Sequence, residues 1–202
     1  TKDLFDLMGV SWVEAPMEAE GAAAVMCSRG EVAAVASQDW DTLLYGSPVM
    51  VRNLTSHGSR RFGRVMSAER ISLSETLENH GITREQLVDL GIMVGTDFHP
   101  GIKGIGPKTG LKLMKKHGTM EAVAEARGFE LPENLGGIRS LFMDHPAGDE
   151  DLPSAQRAVE EDLRSFLQES RGFSERRVDR ALNRLADAGR LRSSSQPSLF
   201  DF

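Results

Sequence analysis

Apolar residues recur along the chain at two spacings, and the switches between them mark out its elements. Leu4, Phe5, Leu7 and Met8 fall at helical spacing over residues 3–8, and Gly9 follows as a C-terminal cap. Residues 11–14 read as a short strand, which Ala15 and Pro16 interrupt. Residues 18–29, rich in alanine and ended by Gly30, form a helix whose small side chains allow close approach to a sheet. Residues 31–37 are a nearly continuous apolar run, the pattern of a buried parallel strand, and they end directly at Gln38-Asp39-Trp40-Asp41. A helical turn over 42–46, a strand over 49–54, a polar and basic loop over 56–64 and a short strand over 70–73 complete this half.

The second half reads as helical. Residues 74–80 form one helix and 83–94 another, with Thr83 as N-cap and Gln86 three places on, the spacing of a capping box. The apolar face of the second helix is Leu87, Leu90, Ile92 and Val94, and it runs into Gly95-Thr96-Asp97. A glycine-rich stretch from Pro100 to Lys108 leads into a helix over 108–117, with Leu111 and Met114 inward and Lys112, Lys115 and Lys116 outward. Residues 118–153 are weakly patterned. Helices over 154–170 and 174–188 follow, the latter with Val178, Ala181, Leu182 and Leu185 at helical spacing, and a serine run from Ser193 opens a flexible tail. The expected class is α/β: a parallel-sheet core over residues 1–97, a helical region over 98–192 and a tail over 193–202.

Composition narrows this picture. The 202 residues suffice for a domain with a core, and with 40% hydrophobic residues the chain has an ordinary globular balance. No eighteen-residue apolar run is present, so nothing in the sequence predicts a membrane span. The acidic start carries no secretory signal and no initiator Met, and reads as the interior of a longer chain whose N-terminal part is missing. Cys27, the single cysteine, excludes an internal disulfide and fits a buried thiol in a reducing, cytoplasmic setting. The formal charge of −6 argues mildly against nucleic acid as a partner, but the charge is uneven. Acids dominate residues 1–58, while basic runs follow at Arg60-Arg61, Lys112 to Lys116 and Arg176-Arg177.

Three short clusters hold the candidate chemistry: Glu18 with Glu20, Asp39 with Asp41, and Asp97. Carboxylates gathered at one site repel one another, so such a set calls for a cation, and all-oxygen ligands suit Mg²⁺ or Mn²⁺. Asp39 and Asp41 are best placed, since residues two apart on extended chain share a face and ligands bind beyond strand ends in open α/β sheets. Glu18 and Glu20 reach one site only near a helix start; the competing reading makes them acids favoured by the helix dipole. Turn chemistry competes at Asp39 and Asp41, and capping at Asp97. The five histidines are scattered and read as surface or packing residues.

Two further signals concern partners. The turn at Lys103-Gly104-Ile105-Gly106-Pro107-Lys108 resembles that of a helix–hairpin–helix module, where bare glycine backbone meets a phosphate at a helix start and Lys103 and Lys108 add charge. In the tail, Gln196, Leu199 and Phe202 have the spacing of peptides that dock on DNA sliding clamps, one helical turn putting Leu199 and Phe202 on one side.

Together these segments resemble the flap endonuclease family of structure-specific 5′ nucleases, in its archaeal and eukaryotic form. The resemblance rests on Glu14 to Glu20 (EAPMEAE), Ser37 to Gly46 (SQDWDTLLYG), Val51 to Thr55 (VRNLT), Gly95 to Phe98 (GTDF) and Gly104 to Lys108 (GIGPK), in that order. It is strong to about residue 117, looser beyond and specific again at the tail. It implies a PIN-like 5′-nuclease core, with Glu18, Glu20, Asp39, Asp41 and Asp97 as metal-site acids. It also implies a duplex-binding turn that holds a monovalent cation such as K⁺, and two-metal hydrolysis of DNA at 5′-flap junctions in replication and repair. A sliding clamp would recruit the enzyme in the cytoplasm or nucleoid of an archaeon or the nucleus of a eukaryote. Departures are the missing N-terminal portion, with its further metal ligands; Trp40 and Phe98 in place of Tyr; and a clamp motif ending at Phe202 without a second adjacent aromatic. Two other readings stay open: a catalytically incomplete module that binds DNA and the clamp, and a related 5′ exonuclease or junction nuclease.

Overall fold

Helix α1 (Lys2–Leu7) forms where the spacing predicts it, and Gly9 takes up a positive φ just beyond its end. Residues 11–14 are not a strand. Their side chains tie back to α1 instead: the Trp12 indole N–H donates to Asp6 (2.8 Å), Lys2 sits 4.7 Å over the Trp12 ring, and the Lys2 ammonium pairs with Glu14 at 2.6 Å. The computed structural model describes residues 1–56, 58, 60–61, 64–147, 153–189 and 191–192.

Helix α2 (Ala19–Ser28) ends at Gly30 with φ +77°, and the Glu31 N–H turns back to the Met26 carbonyl. That closure takes up the first residues of the expected seven-residue strand, so β1 (Val35–Ala36) is only two residues long. After α3 (Asp41–Leu44) comes β2 (Val49–Arg52), which stops where Asn53 adopts φ +57° and a 3₁₀ turn (Leu54–Ser56) begins. The expected loop over 56–64 contains two short paired strands, β3 (Arg60–Arg61) and β4 (Arg64–Val65). Strand β5 (Glu69–Ser72) completes a sheet of order β1-β2-β5. The expected parallel sheet is therefore mixed. β1 and β2 are parallel, with Val35 opposite Met50, but β5 is antiparallel, with Met50 opposite Ile71. A parallel return to the sheet needs a long crossover, usually a helix, and among the described residues between β2 and β5 the only helical segment is the short 3₁₀ turn.

Helix α4 (Leu73–His80) packs through Leu73 and Leu77 against Leu43, Met50 and Ile71. Helices α5 (Arg84–Val94), α6 (Pro107–His117), α7 (Met120–Arg127) and α8 (Leu135–Met143) pack with α2 and α3 around one core that includes Tyr45, Val88, Ile92, Met93, Met114 and Phe142. The capping box at the start of α5 is present, Thr83 and Gln86 each accepting the other's backbone N–H. The face of α5 differs from expectation. Val88, Ile92 and Met93 are buried, while Leu87, Leu90 and Val94 are only partly covered and line a cleft. Residues 15–148 make up this packing unit.

Residues 1–14 and 149–202 form the second unit. The helix expected from residue 154 begins later, because residues 158–159 form a strand, β6 (Ala158–Val159). Helix α9 (Glu160–Ser165) then runs on as a π turn (Phe166–Ser170), α10 (Glu175–Asp187) follows, and β7 (Leu191–Arg192) pairs parallel with β6. Leu4, Leu7 and Met8 of α1 pack here against Ala158, Leu163, Val178 and Leu182; Ala181, expected inward, is exposed. Packing thus divides the chain at residues 14 and 148, whereas the expected boundaries at 97 and 192 divide it by role. Residues 193–202, with Gln196, Leu199 and Phe202, lie outside the described residues.

Candidate metal centre and adjoining cleft

Each acidic cluster sits at an interruption of regular structure. Glu18 is the N-cap of α2 with extended backbone (φ −62°, ψ 126°), and Glu20 lies in the first helical turn. That is the arrangement needed for two acids two residues apart to face one site. The Glu18 side chain makes no capping hydrogen bond, so its carboxylate is not occupied in ending the helix.

Asp39 and Asp41 follow β1. The Asp39 N–H donates to Ser37 Oγ and Asp39 Oδ1 accepts the Asp41 N–H, both at 3.0 Å. Turn chemistry is thus present: one Asp39 oxygen accepts the N–H of the first residue of α3. Asp97 stands at the tip of a tight turn, closed by paired backbone bonds between Thr96 and His99 at 2.9 and 3.2 Å. It is exposed and caps no helix.

Electrostatics shows that the clusters meet. The Asp41 carboxyl is pushed up to about 6, by burial first and then by repulsion from Asp39, Asp97, Glu20 and Glu18. The Tyr45 hydroxyl is also driven up, by burial and then by Glu18, Asp41, Glu20 and Asp39. The four other predicted acids all act on Asp41, and no cation is among the causes acting on it. The donor set is wholly oxygen and carries an uncompensated half-buried carboxylate, which fits a hard divalent cation. Yet among the described residues no three Asp, Glu, His or Cys side chains are closed into a coordination set. The acids are gathered rather than locked.

Beneath the acids runs a row of rings that the sequence reading did not anticipate. Phe98, next to Asp97, meets Phe142 edge-on at 5.5 Å; Phe142 meets Tyr45 at 4.9 Å; Tyr45 meets His145 edge-on at 5.5 Å. Tyr45 ends α3, which begins with Asp41. Arg84 braces the row, donating to the Phe142 carbonyl at 2.7 Å and to the Leu44 carbonyl at 3.4 Å. These contacts join residues far apart in sequence, and only the aromatic content of the segments hinted at them.

A cleft of about 940 Å³ leads away from the acids. Asp39, Trp40, Asp41 and Asp97 line it at one end, Leu87, Leu90 and Val94 form its wall, and Pro107 and Lys108 stand at the start of α6. Trp40 is half exposed and lies under the Arg52 guanidinium at 4.2 Å. The glycine turn before α6 is open. Gly104 has φ +86°, which favours glycine on backbone grounds. Gly106 has an ordinary φ of −94°, and a Cβ there would meet nothing within 4 Å. Among the described residues nothing packs against Gly106. Lys103, Lys108, Lys112, Lys115 and Lys116, on the turn and along α6, are all exposed.

Residues 9–97 match the XPG I-region family model. Over 188 residues the chain is 46% identical to flap endonuclease 1 of Methanothrix thermoacetophila, an alignment covering 90% of this chain and 55% of that one. The flap endonuclease-1 structure from Methanococcus jannaschii superposes with a TM-score of 0.79 at 35% identity, covering 92% of this chain and 56% of that one. The catalytic core of Rad2 in complex with DNA substrate shares the fold, with a TM-score of 0.76 at 19% identity over 91% of this chain and 68% of that one. The chain thus spans a little over half the length of the flap endonuclease relatives it matches. In sequence over nearly its whole length, and in fold, the chain belongs to the flap endonuclease family.

Proposed function

We propose that this chain acts in a structure-specific 5′ flap endonuclease, hydrolysing DNA phosphodiesters at flap junctions in replication and repair. The observation that carries this reading is that four other carboxylates act on half-buried Asp41, which lines one cleft together with Asp39, Asp97 and Lys108 at the start of α6. Glu18, Glu20, Asp39, Asp41 and Asp97 would hold two Mg²⁺ ions, with Mn²⁺ able to substitute. Bound there, the ions supply a water of lowered pKa and neutralise charge on the phosphoryl oxygens. The chain's own contribution is placement. Asp39 accepts the Asp41 N–H at the start of α3, and the extended N-cap presents Glu18 and Glu20 together. Lys103, Gly104, Gly106 and Lys108 would grip the duplex backbone, with K⁺ held by backbone oxygens of the turn, and so set the distance from duplex to acids.

By role, residues 1–97 would serve as the nuclease core, 98–192 as the duplex-binding region and 193–202 as the clamp-binding tail. Gln196, Leu199 and Phe202 would recruit the enzyme to a sliding clamp in the cytoplasm or nucleoid of an archaeon or the nucleus of a eukaryote, raising its concentration at junctions. Phe202→Ala should weaken clamp binding by calorimetry and leave clamp-free cleavage unchanged; unaltered clamp affinity would remove the tail from this account.

The decisive experiment compares cleavage of flap, nicked, blunt-duplex and four-way DNA by the protein carrying this sequence, with Mg²⁺ and with EDTA. Mg²⁺-dependent incision at the flap junction is expected; preference for ends or for four-way junctions would move the assignment to an exonuclease or junction nuclease. A second reading, a DNA- and clamp-binding module that does not cut, draws on the absence of a closed coordination set among the described residues. Flap binding without incision of any substrate would select it.

A further inference from the structure

His145 follows α8 and stands at the end of the aromatic row, against the first turn of α2. The place it occupies exists because residue 21 is glycine. A Cβ on Gly21 would lie 2.3 Å from His145 Cδ2 and 2.6 Å from Nε2, closer than real Cβ atoms stand to any neighbour. Gly21 is buried at an ordinary helical position, so its backbone makes no demand for glycine; the imidazole does. Both ring nitrogens are buried, and among the described residues neither has a partner in full hydrogen-bond geometry, the Glu18 main chain being a polar neighbour. The Glu18 carboxylate and main chain draw the ring towards protonation, but burial outweighs them. The tightest constraint on the ring is its packing against Gly21 and Tyr45.

Resting on the metal-site reading given above, we propose that His145 is a positioning residue for the cation site: its imidazole is a wedge between Tyr45 and Gly21 that fixes the first turn of α2, and with it the direction of Glu18 and Glu20. Tyr45 in turn belongs to the helix that begins with Asp41. The wedge thus spans the two elements whose acids must meet, from a loop that contributes no ligand of its own. A residue that orients ligands without touching the ion commonly changes metal affinity by about 10–100-fold when it is lost.

The test is a calorimetric titration of Mn²⁺ into the chain and its variants, each checked as folded by circular dichroism at the titration temperature. His145→Ala should weaken Mn²⁺ binding about tenfold, at the low end of that range. His145→Phe, which keeps a ring against Tyr45 and Gly21 but removes both nitrogens, should stay within about twofold of the parent. If His145→Ala fails to fold, Gly21→Ala reads the same contact from the other side and should weaken Mn²⁺ binding in the otherwise unaltered chain; unchanged affinity in a folded Gly21→Ala variant then overturns the proposal. Unchanged affinity in a folded His145→Ala variant overturns the proposal, as does a His145→Phe variant as weak as His145→Ala. A parent chain that binds no Mn²⁺ overturns the metal-site reading itself, an outcome separate from either.

Discussion

The unit formed by residues 15–148 handles buried carboxylates in two opposite ways. Asp89, on α5, is almost fully buried, and its oxygens are met by hydrogen-bond donors. Arg139 of α8 donates to both its oxygens at 2.7 and 2.8 Å, and the Met120 N–H at the start of α7 donates at 3.1 Å. The same guanidinium reaches Glu121 at 2.6 and 2.9 Å and holds that carboxyl down at about 2. Asp41 is also withdrawn from water, yet its charged neighbours are four more acids, and its carboxyl rises to about 6. Burial with a partner ties three helices together. Burial without one is a strain that the fold keeps, and it is kept where a cleft opens. On the function proposed above, the difference separates a carboxylate that holds the fold from one that serves chemistry.

The largest effect that would break this comparison is at the site. Asp41→Ala should cut flap incision by at least about a thousandfold, or about 4 kcal/mol of transition-state stabilisation, with duplex binding kept. Its urea midpoint should hold or rise, since a repelled charge has gone; rapid turnover by this variant would end the metal assignment. Arg139→Met should do the reverse. It strands Asp89 without its cation, costs about 3 kcal/mol in urea unfolding and leaves the Mn²⁺ affinity of the folded chain unaltered. Equal loss of stability from both variants would erase the contrast.

Gly104→Ala comes next. With φ +86° the alanine is strained by about 1 kcal/mol, and duplex affinity should fall together with the melting temperature, while Gly106→Ala should weaken duplex binding alone. The smallest effect is in acid. The Glu121 carboxyl is depressed in the folded state, so its contribution is present above its unfolded value, about 4.3, and lost as pH falls through about 2. Because Glu121 is about half exposed, that contribution is below about 1 kcal/mol. Glu121→Gln should flatten the stability–pH curve between about pH 4 and 2 by no more than that.

Much of this was legible in the chain. Local spacing at element ends singles out Glu18, Glu20, Asp39, Asp41 and Asp97, and in the structure the other four act on Asp41. The Thr83–Gln86 box and the glycine turn were legible because each is written in a few adjacent residues. What escaped is what depends on distant partners. The apolar run over 31–37 predicts a long strand, yet Glu31 turns back to α2 and only Val35 and Ala36 pair. The direction of β5 depends on connection length, and the buried face of α5 on which helices surround it. The wedge at His145 could not be read, since a lone histidine and a lone glycine carry no mark of each other until the fold sets them in contact.

The central claim is that the acids around Asp41 form the cation site and those around Arg139 do not. Paramagnetic broadening by sub-stoichiometric Mn²⁺, followed in the backbone amide spectrum of the isotopically labelled chain, tests it residue by residue. The account predicts that signals of Glu20, Asp39, Asp41 and Asp97 fade together, well before those of Asp89 and Glu121. Broadening centred on Asp89 and Glu121, or spread evenly over the surface acids, would contradict it.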